Sequence, residues 1–88
     1  MDENCFEEKV EELIEKKYGL KCVYRKPMGQ NTIVLSFTLG FADEEEQERI
    51  LSKIQDEELI RNSDASAYIA NIAGRDAGPA IQVMFDEQ

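Results

Sequence analysis

The sequence contains no histidine, no tryptophan and only two cysteines in 88 residues. The absence of histidine excludes Ser-His and Cys-His nucleophilic catalysis and every metal site that needs an imidazole ligand. Cys5 and Cys22 lack the close spacing of a zinc or redox motif, and two cysteines are too few for a disulfide scaffold. We therefore expect reduced thiols, no metal, no cofactor and no enzymatic activity.

The chain also has no apolar run near the roughly 18 residues that a membrane span requires. Its first residues, MDENCFEEK, are acidic where a signal peptide would be basic and then apolar. We therefore expect a cytoplasmic protein without membrane contact. Its hydrophobic content of 42% and charged content of 33% are typical of a folded chain, and the length predicts a single domain over residues 1–88.

Negative charge dominates and is unevenly distributed along the chain. The net charge is -9, from 19 acidic and 10 basic residues. Residues 1–15 carry a net charge of -6 and residues 16–42 carry +5, whereas residues 43–64 carry -6 and residues 65–88 carry -2. This balance opposes non-specific binding to nucleic acid, which requires Lys and Arg to neutralise phosphates.

Hydrophobic periodicity in the first half predicts a helix followed by a hairpin. Apolar residues from Phe6 to Ile14 recur at helical spacing, and Gly19 is placed to end that helix in a left-handed conformation. The segment LKCVYRK alternates as a strand, with Leu20, Cys22 and Tyr24 on one side. NTIVLSFTL alternates as its partner strand.

The second half repeats this order. Asp43 is a predicted N-cap, and the apolar pattern predicts that the helix breaks near Gln55 or Asp56, with Asp56 capping a further short turn. ASAYIANIA predicts a strand covered on both faces, and AIQVMF predicts a last strand. The order α-β-β-α-β-β predicts an α+β two-layer sandwich, with two helices on one face of a four-stranded, mainly antiparallel sheet.

The first predicted helix carries a row of acids that local helix energetics does not explain. At 100° per residue the acids lie opposite the apolar stripe, and several are like-charge pairs four residues apart, which cost about 0.2 to 0.5 kcal/mol each. Such a surface indicates a basic binding partner, although solubility is an alternative explanation. The candidate partner-binding residues here are Glu8, Glu11, Glu12 and Glu15.

The second predicted helix adds another acidic group at FADEEEQERI, residues 41–50. Acids in a first helical turn are favourable against the helix dipole, and Glu45 has Arg49 four residues later. Helix stabilisation is therefore the alternative to partner binding. The candidate partner-binding residues here are Glu44, Glu45, Glu48 and Asp56.

Two further segments permit other interpretations. Residues 16–26 contain five bases interleaved with Tyr18 and Tyr24, a pattern that suits a phosphate backbone and base stacking, or simply a soluble strand edge. GRDAGP lacks phosphate-loop spacing and is explained as a hairpin connection. A catalytic carboxylate pair such as Asp64 with Asp76 has no support from spacing.

These features together predict a small acidic protein-protein interaction module. In size and charge the chain resembles the small inhibitors that phages and mobile elements use against restriction or CRISPR nucleases; the resemblance includes no motif. The first hypothesis is that its anionic helices, as a partial DNA mimic, dock on the basic groove of a nuclease or another nucleic-acid-handling protein. The alternatives are a nucleic-acid-binding module that uses residues 16–26 and a self-associating structural subunit, that is, a homo-oligomer.

Overall fold

The computed structural model of the chain describes residues 6–40, 42–74 and 78–86. Within these ranges three helices and four strands follow one another in the order α-β-β-α-α-β-β. The elements are α1 (Phe6–Tyr18), β1 (Lys21–Pro27), β2 (Thr32–Thr38), α2 (Glu44–Gln55), α3 (Glu58–Arg61), β3 (Ser66–Ile72) and β4 (Gly78–Asp86).

The four strands form one sheet in the order β1-β2-β4-β3, and every neighbouring pair is antiparallel. Hairpins join β1 to β2 and β3 to β4, while α2 and α3 carry the chain from β2 past β4 to the far edge. Because β2 and β3 are both antiparallel to β4, they run in the same direction without being neighbours. This topology confirms the predicted α+β two-layer fold.

The core lies between the helices and one face of the sheet. In the two central strands Leu35 lies opposite Val83 and Phe37 opposite Ile81, and all four side chains are fully buried. The helices complete the same cluster with buried aliphatic side chains, namely Val10, Ile14, Ile54 and Ile60. Among the strands, α1 lies nearest β1 and α2 lies nearest β3. No element in the described residues covers the opposite face.

The ends of the helices follow the predicted local chemistry with one exception. Gly19 ends α1 at φ 70°, and the Asp43 side chain accepts a hydrogen bond from the backbone N–H of Glu46 at 2.9 Å. The break after Gln55 is confirmed. The prediction that Asp56 caps the short following helix is wrong, because Asp56 is the C-cap of α2 and Glu57 precedes α3 without a side-chain cap.

A β-bulge makes the predicted alternation of the first strand wrong. Cys22 lies opposite Phe37, but Tyr24, two residues later, lies opposite Ser36, so Val23 is an extra residue. The bulge therefore puts Tyr24 on the uncovered face, opposite to Cys22. Arg25 correspondingly moves to the helical face, where it lies opposite Leu35.

The interpretation of ASAYIANIA as a strand covered on both faces is also wrong. The segment forms β3 at the edge of the sheet, with helices over only one of its faces. Ala67 and Ile72 are buried, while Ser66 and Asn71 are exposed. The small uncharged residues of β3 therefore belong to an open edge and not to a central strand.

Candidate partner-binding surface

Most acids of α1 face the neighbouring strand β1. Glu7, Glu11 and Glu15 recur at intervals of four residues and therefore line one flank of the helix. Arg25 Nε donates to Glu7 Oε2 at 2.6 Å, and the backbone N–H of Cys22 donates to Glu15 Oε2 at 3.2 Å. The row of like charges is thus compensated by groups of β1, which explains how the helix tolerates it.

The thiol of Cys22 lies beside the same row. Burial, together with the carboxylates of Glu11 and Glu15, raises the pKa of this thiol to about 11. The thiol is therefore protonated at neutral pH and is a poor nucleophile. Cys5, the other cysteine, lies outside the described residues.

Of the two remaining predicted acids of α1, Glu12 has a partner and Glu8 has none among the described residues. Glu12 Oε2 accepts a hydrogen bond from Lys16 Nζ at 2.8 Å, which lowers the pKa of Glu12 and raises that of Lys16. Both side chains are largely exposed, so solvent screening keeps the pair weak. Glu8 is exposed and has no hydrogen bond or ion pair among the described residues.

The end of α1 is fastened to the α2–α3 junction through one carboxylate. The Tyr18 hydroxyl donates to Glu57 Oε2 at 2.5 Å, and Lys17 Nζ lies 2.8 Å from the same oxygen. These two contacts lower the pKa of Glu57, while burial and the Glu57 charge raise the pKa of Tyr18 to about 12. Only 15% of the Glu57 side chain is exposed, so this carboxylate is a structural group.

Basic side chains separate the acidic surfaces of the two long helices. A surface cleft of about 550 Å3 lies between the end of α1 and the second half of α2. Its charged lining consists of three bases, Lys17, Arg49 and Lys53, on the side of the acids in the first half of α2, and three acids at the α2–α3 junction, Asp56, Glu57 and Glu58. Arg49 Nη2 lies 3.7 Å from Glu46 Oε2. Among the described residues, Arg49 thus pairs with Glu46 and not with Glu45, its expected partner. The acids of α1 and α2 therefore do not form one continuous anionic strip across this cleft.

Apart from Glu46, the acids in the first half of α2 have no partner within the described chain. Glu44, Glu45 and Glu48 are exposed, and no hydrogen bond or ion pair engages them among the described residues. Glu44 and Glu45 lie in the first turn and gain from the helix dipole, but Glu48 lies in the second. Asp56, the last predicted site residue, lies 3.4 Å from Arg61 Nη1.

Among the strands, α2 lies nearest the open edge strand β3, and one flank of the helix carries Glu44 and Glu48. Gln55 shares this flank, since it comes 11 residues after Glu44 and 7 after Glu48. Its Nε2 donates to the backbone carbonyl of Ala67 in β3 at 2.9 Å. Lys53 and Arg49 occupy the other flank, toward α1. The structure thus places unpartnered acids beside an uncharged edge strand, which sequence reasoning missed.

The signal for that edge was present in the sequence as a lack of charge. Residues 65–74, ASAYIANIAG, contain no charged side chain, in a chain where 33% of residues are charged. A run of this kind suits either a buried strand or an unprotected edge, and only the strand order distinguishes the two.

The basic segment 16–26 is divided between two sides of the molecule. Lys16, Lys17 and Arg25 have acidic partners on the helical side. The strand register places Lys21, Tyr24 and Lys26 on the uncovered face.

On that face, Gln82 Nε2 donates to Ser36 Oγ at 3.0 Å and to the Tyr24 hydroxyl at 3.2 Å. Ser36 is fully buried although no helix covers it, so neighbouring side chains lie across the strands. Val34 and Ala80 are also buried on this face, so its own side chains cover its centre, whereas Tyr24 is exposed.

The remaining candidates contribute no site. Residues 75–77 of GRDAGP lie outside the described residues, and so does Asp76 of the pair with Asp64. Within residues 6–40, 42–74 and 78–86, no three His, Cys, Asp or Glu side chains are grouped so as to hold a metal ion. No helix of the described chain has the length and apolar character needed to cross a membrane.

No protein-family model, curated protein or solved structure matches this chain. The surface is therefore judged by its own geometry and chemistry.

Proposed function

We propose that this protein is a binding module, not an enzyme, and that it engages a cationic surface of a partner protein through the acids of α2. The observation that supports the proposal is the contrast between the two helices. Apart from Glu8, the acids of α1 have partners on β1 or on α1 itself, whereas Glu44, Glu45 and Glu48 are all exposed without a partner among the described residues.

Three exposed carboxylates give specificity and speed of association more than affinity. Exposed ion pairs contribute about 0.2 to 1 kcal/mol each, so three of them account for roughly a threefold to hundredfold change in affinity. Complementary charge also accelerates the encounter, in a manner that salt suppresses. A specific complex therefore needs additional contacts beside α2.

Nucleic-acid-handling proteins supply suitable cationic surfaces, since they neutralise phosphates with Lys and Arg. The inhibitor role expected from size and charge, with a restriction or CRISPR nuclease as target, belongs to this proposal. The proposal assigns the contact to α2 alone, because Lys17, Arg49 and Lys53 lie between its acids and those of α1.

The test compares two triple variants that change the net charge equally. The α2 triple variant carries Glu44→Gln, Glu45→Gln and Glu48→Gln, and the α1 triple variant carries Glu8→Gln, Glu12→Gln and Glu15→Gln. The probe is a fluorescent lysine-rich peptide of about ten residues, titrated by anisotropy at low and moderate salt. We expect the α2 triple variant to lose roughly tenfold or more in affinity and the α1 triple variant to lose roughly twofold or less.

Equal losses in the two variants would show that only net charge matters and would remove α2 as the site. A single-stranded oligothymidylate, titrated in parallel, tests the alternative nucleic-acid function. That alternative draws on Lys21, Tyr24 and Lys26, which share the uncovered face. Oligothymidylate that binds more tightly than the peptide, with a loss in a Tyr24→Ala variant, would favour it.

A further inference from the structure

The two edges of the sheet are protected very differently. β1 carries Lys21, Arg25 and Lys26, ends at Pro27 and contains a bulge, and each of these features discourages pairing with another strand. Glu15 of α1 also occupies the backbone N–H of Cys22. The edge formed by β1 is thus closed to an additional strand.

β3 has none of these protections. Its seven residues, SAYIANI, include no charge and no proline, and its pairing with β4 is regular over its whole length. An edge strand presents every second backbone N–H and C=O group outward, where they can pair with another chain. In the described structure a side chain of α2 engages one carbonyl of this strand, that of Ala67.

The helix that carries Glu44 and Glu48 lies against the same edge strand. α2 begins at the end of the sheet where β2 ends and β3 finishes, since Thr38 lies opposite Ala80 and Ile72 opposite Gly78. It ends near the start of β3, where Gln55 contacts Ala67. Glu48 and Glu44 therefore lie about 10 and 16 Å back along the helix from Gln55, a distance comparable to the length of β3.

From this arrangement we propose that a partner segment in extended conformation adds to β3 as a fifth strand and carries Lys or Arg at alternate positions. Successive side chains of an added strand point to opposite faces of the sheet. Those on the helical side meet Glu44 and Glu48, which favours basic residues. Those on the other side continue the uncovered face beside Tyr68 and Ala70, which favours small or apolar residues. The inference rests on the proposed function and specifies its partner.

Charge distinguishes this partner from a second copy of the chain. A twofold pairing of β3 with itself would bring the α2 helices of both copies to the same junction, with Glu44 and Glu48 of each near those of the other. β3 offers no basic residue to offset that repulsion. A cationic segment is attracted instead, because its positive charges complement Glu44 and Glu48.

The experiment uses the intact protein and a synthetic peptide of about ten residues that alternates lysine and valine. Two modified peptides carry N-methyl groups, one at the lysines and one at the valines. All three peptides have the same charge. In an added strand, however, either the backbone N–H groups of the lysines or those of the valines point toward β3, and the other set points away. We expect one methylated peptide to bind roughly tenfold or more weakly than the parent and the other to bind about equally well.

Amide hydrogen exchange provides the second measurement. Addition of the parent peptide should slow exchange at alternate residues of β3 and leave β1 unchanged. If both methylated peptides bind like the parent and β3 exchange does not slow, strand addition is overturned.

The same titrations, repeated with the α2 triple variant, test the proposed function separately from strand addition. Loss of parent-peptide binding in the α2 triple variant supports cationic recognition even when strand addition fails. Equal binding by that variant and the wild type overturns both. A sedimentation mass above the 10.1 kDa of one chain, with β3 protected in the absence of peptide, would assign the edge to a second copy and overturn the inference.

Discussion

The α1–β1 half and the α2–β3 half of this molecule use similar amounts of acidic charge to different effect. In the first half an acidic helix lies against a basic strand, and Glu7 and Glu15 bond to groups of that strand. In the second half an acidic helix lies against a strand with no charge, and Glu44 and Glu48 have no partner among the described residues. Acidic composition alone therefore does not identify a binding surface.

The order of charge along the chain explains this difference. Residues 1–15, with a net charge of -6, are followed by residues 16–42, with +5, and the turn at Gly19 folds part of the second block back onto the first. Residues 43–64 also carry -6, but the segment that folds back onto them is uncharged. Three exposed acids without a partner among the described residues, Glu44, Glu45 and Glu48, therefore lie together on α2.

The largest effect is expected at the carboxylate that fastens the two halves together. Glu57→Ala removes the acceptor of the Tyr18 hydroxyl and the partner of Lys17. Because hydrogen bonds to charged groups contribute about 1.5 to 3 kcal/mol, we expect a loss of about 2 kcal/mol in the free energy of unfolding, measured with urea. Glu58→Ala, an exposed neighbour, is the matched control and should change it by less than about 0.5 kcal/mol.

At acid pH the wild type and the Glu57→Ala variant should have the same free energy of unfolding. The pKa of Glu57 is lowered in the fold below its ordinary value of 4.5, so its contribution is complete above that value and is lost as pH falls through the folded-state pKa. Urea midpoints measured from pH 7 downward should therefore converge. A difference that persists undiminished at the acid end would mean that the lost contact is not ionic.

A smaller effect is expected within the α1–β1 half. Glu7→Gln breaks the ion pair with Arg25, whose side chain remains 45% exposed, so solvent screening limits the loss to about 0.5 to 1 kcal/mol. Glu8→Gln is the control, since both acids lie in the first turn of α1 and gain from the helix dipole. Equal urea midpoints for the two variants would show that Glu7 stabilises the fold through the helix dipole and not through Arg25.

Local patterns in the sequence predicted the helices and their ends well, because these depend on neighbouring residues. The N-cap Asp43, the terminator Gly19 and the break after Gln55 each follow from a few adjacent side chains. The α+β class followed from the order of elements. That residues 1–88 form a single domain stays a prediction.

Features that depend on distant strands were not predictable in this way. The bulge at Cys22 and Tyr24 is a register shift against β2, and alternation within LKCVYRK does not reveal it. The edge position of β3 depends on the strand order, which periodicity does not specify. The candidate site differs from its prediction for the same reason. The sequence predicted Glu11 and Glu15 on a free surface, but in the fold both interact with Cys22 of β1.

The smallest predicted effect has the opposite sign. Glu48 follows Glu44 by four residues and Glu45 by three, and like charges at these spacings destabilise a helix by about 0.2 to 0.5 kcal/mol per pair. Glu48→Gln removes both pairs and should therefore raise the free energy of unfolding, by about 0.4 to 1 kcal/mol at low salt, and the gain should shrink as salt screens the charges. Thermal unfolding at two salt concentrations measures both changes. A loss of stability would reveal a favourable contact of Glu48 inside the molecule, and α2 would then resemble α1 in using its acids for the fold.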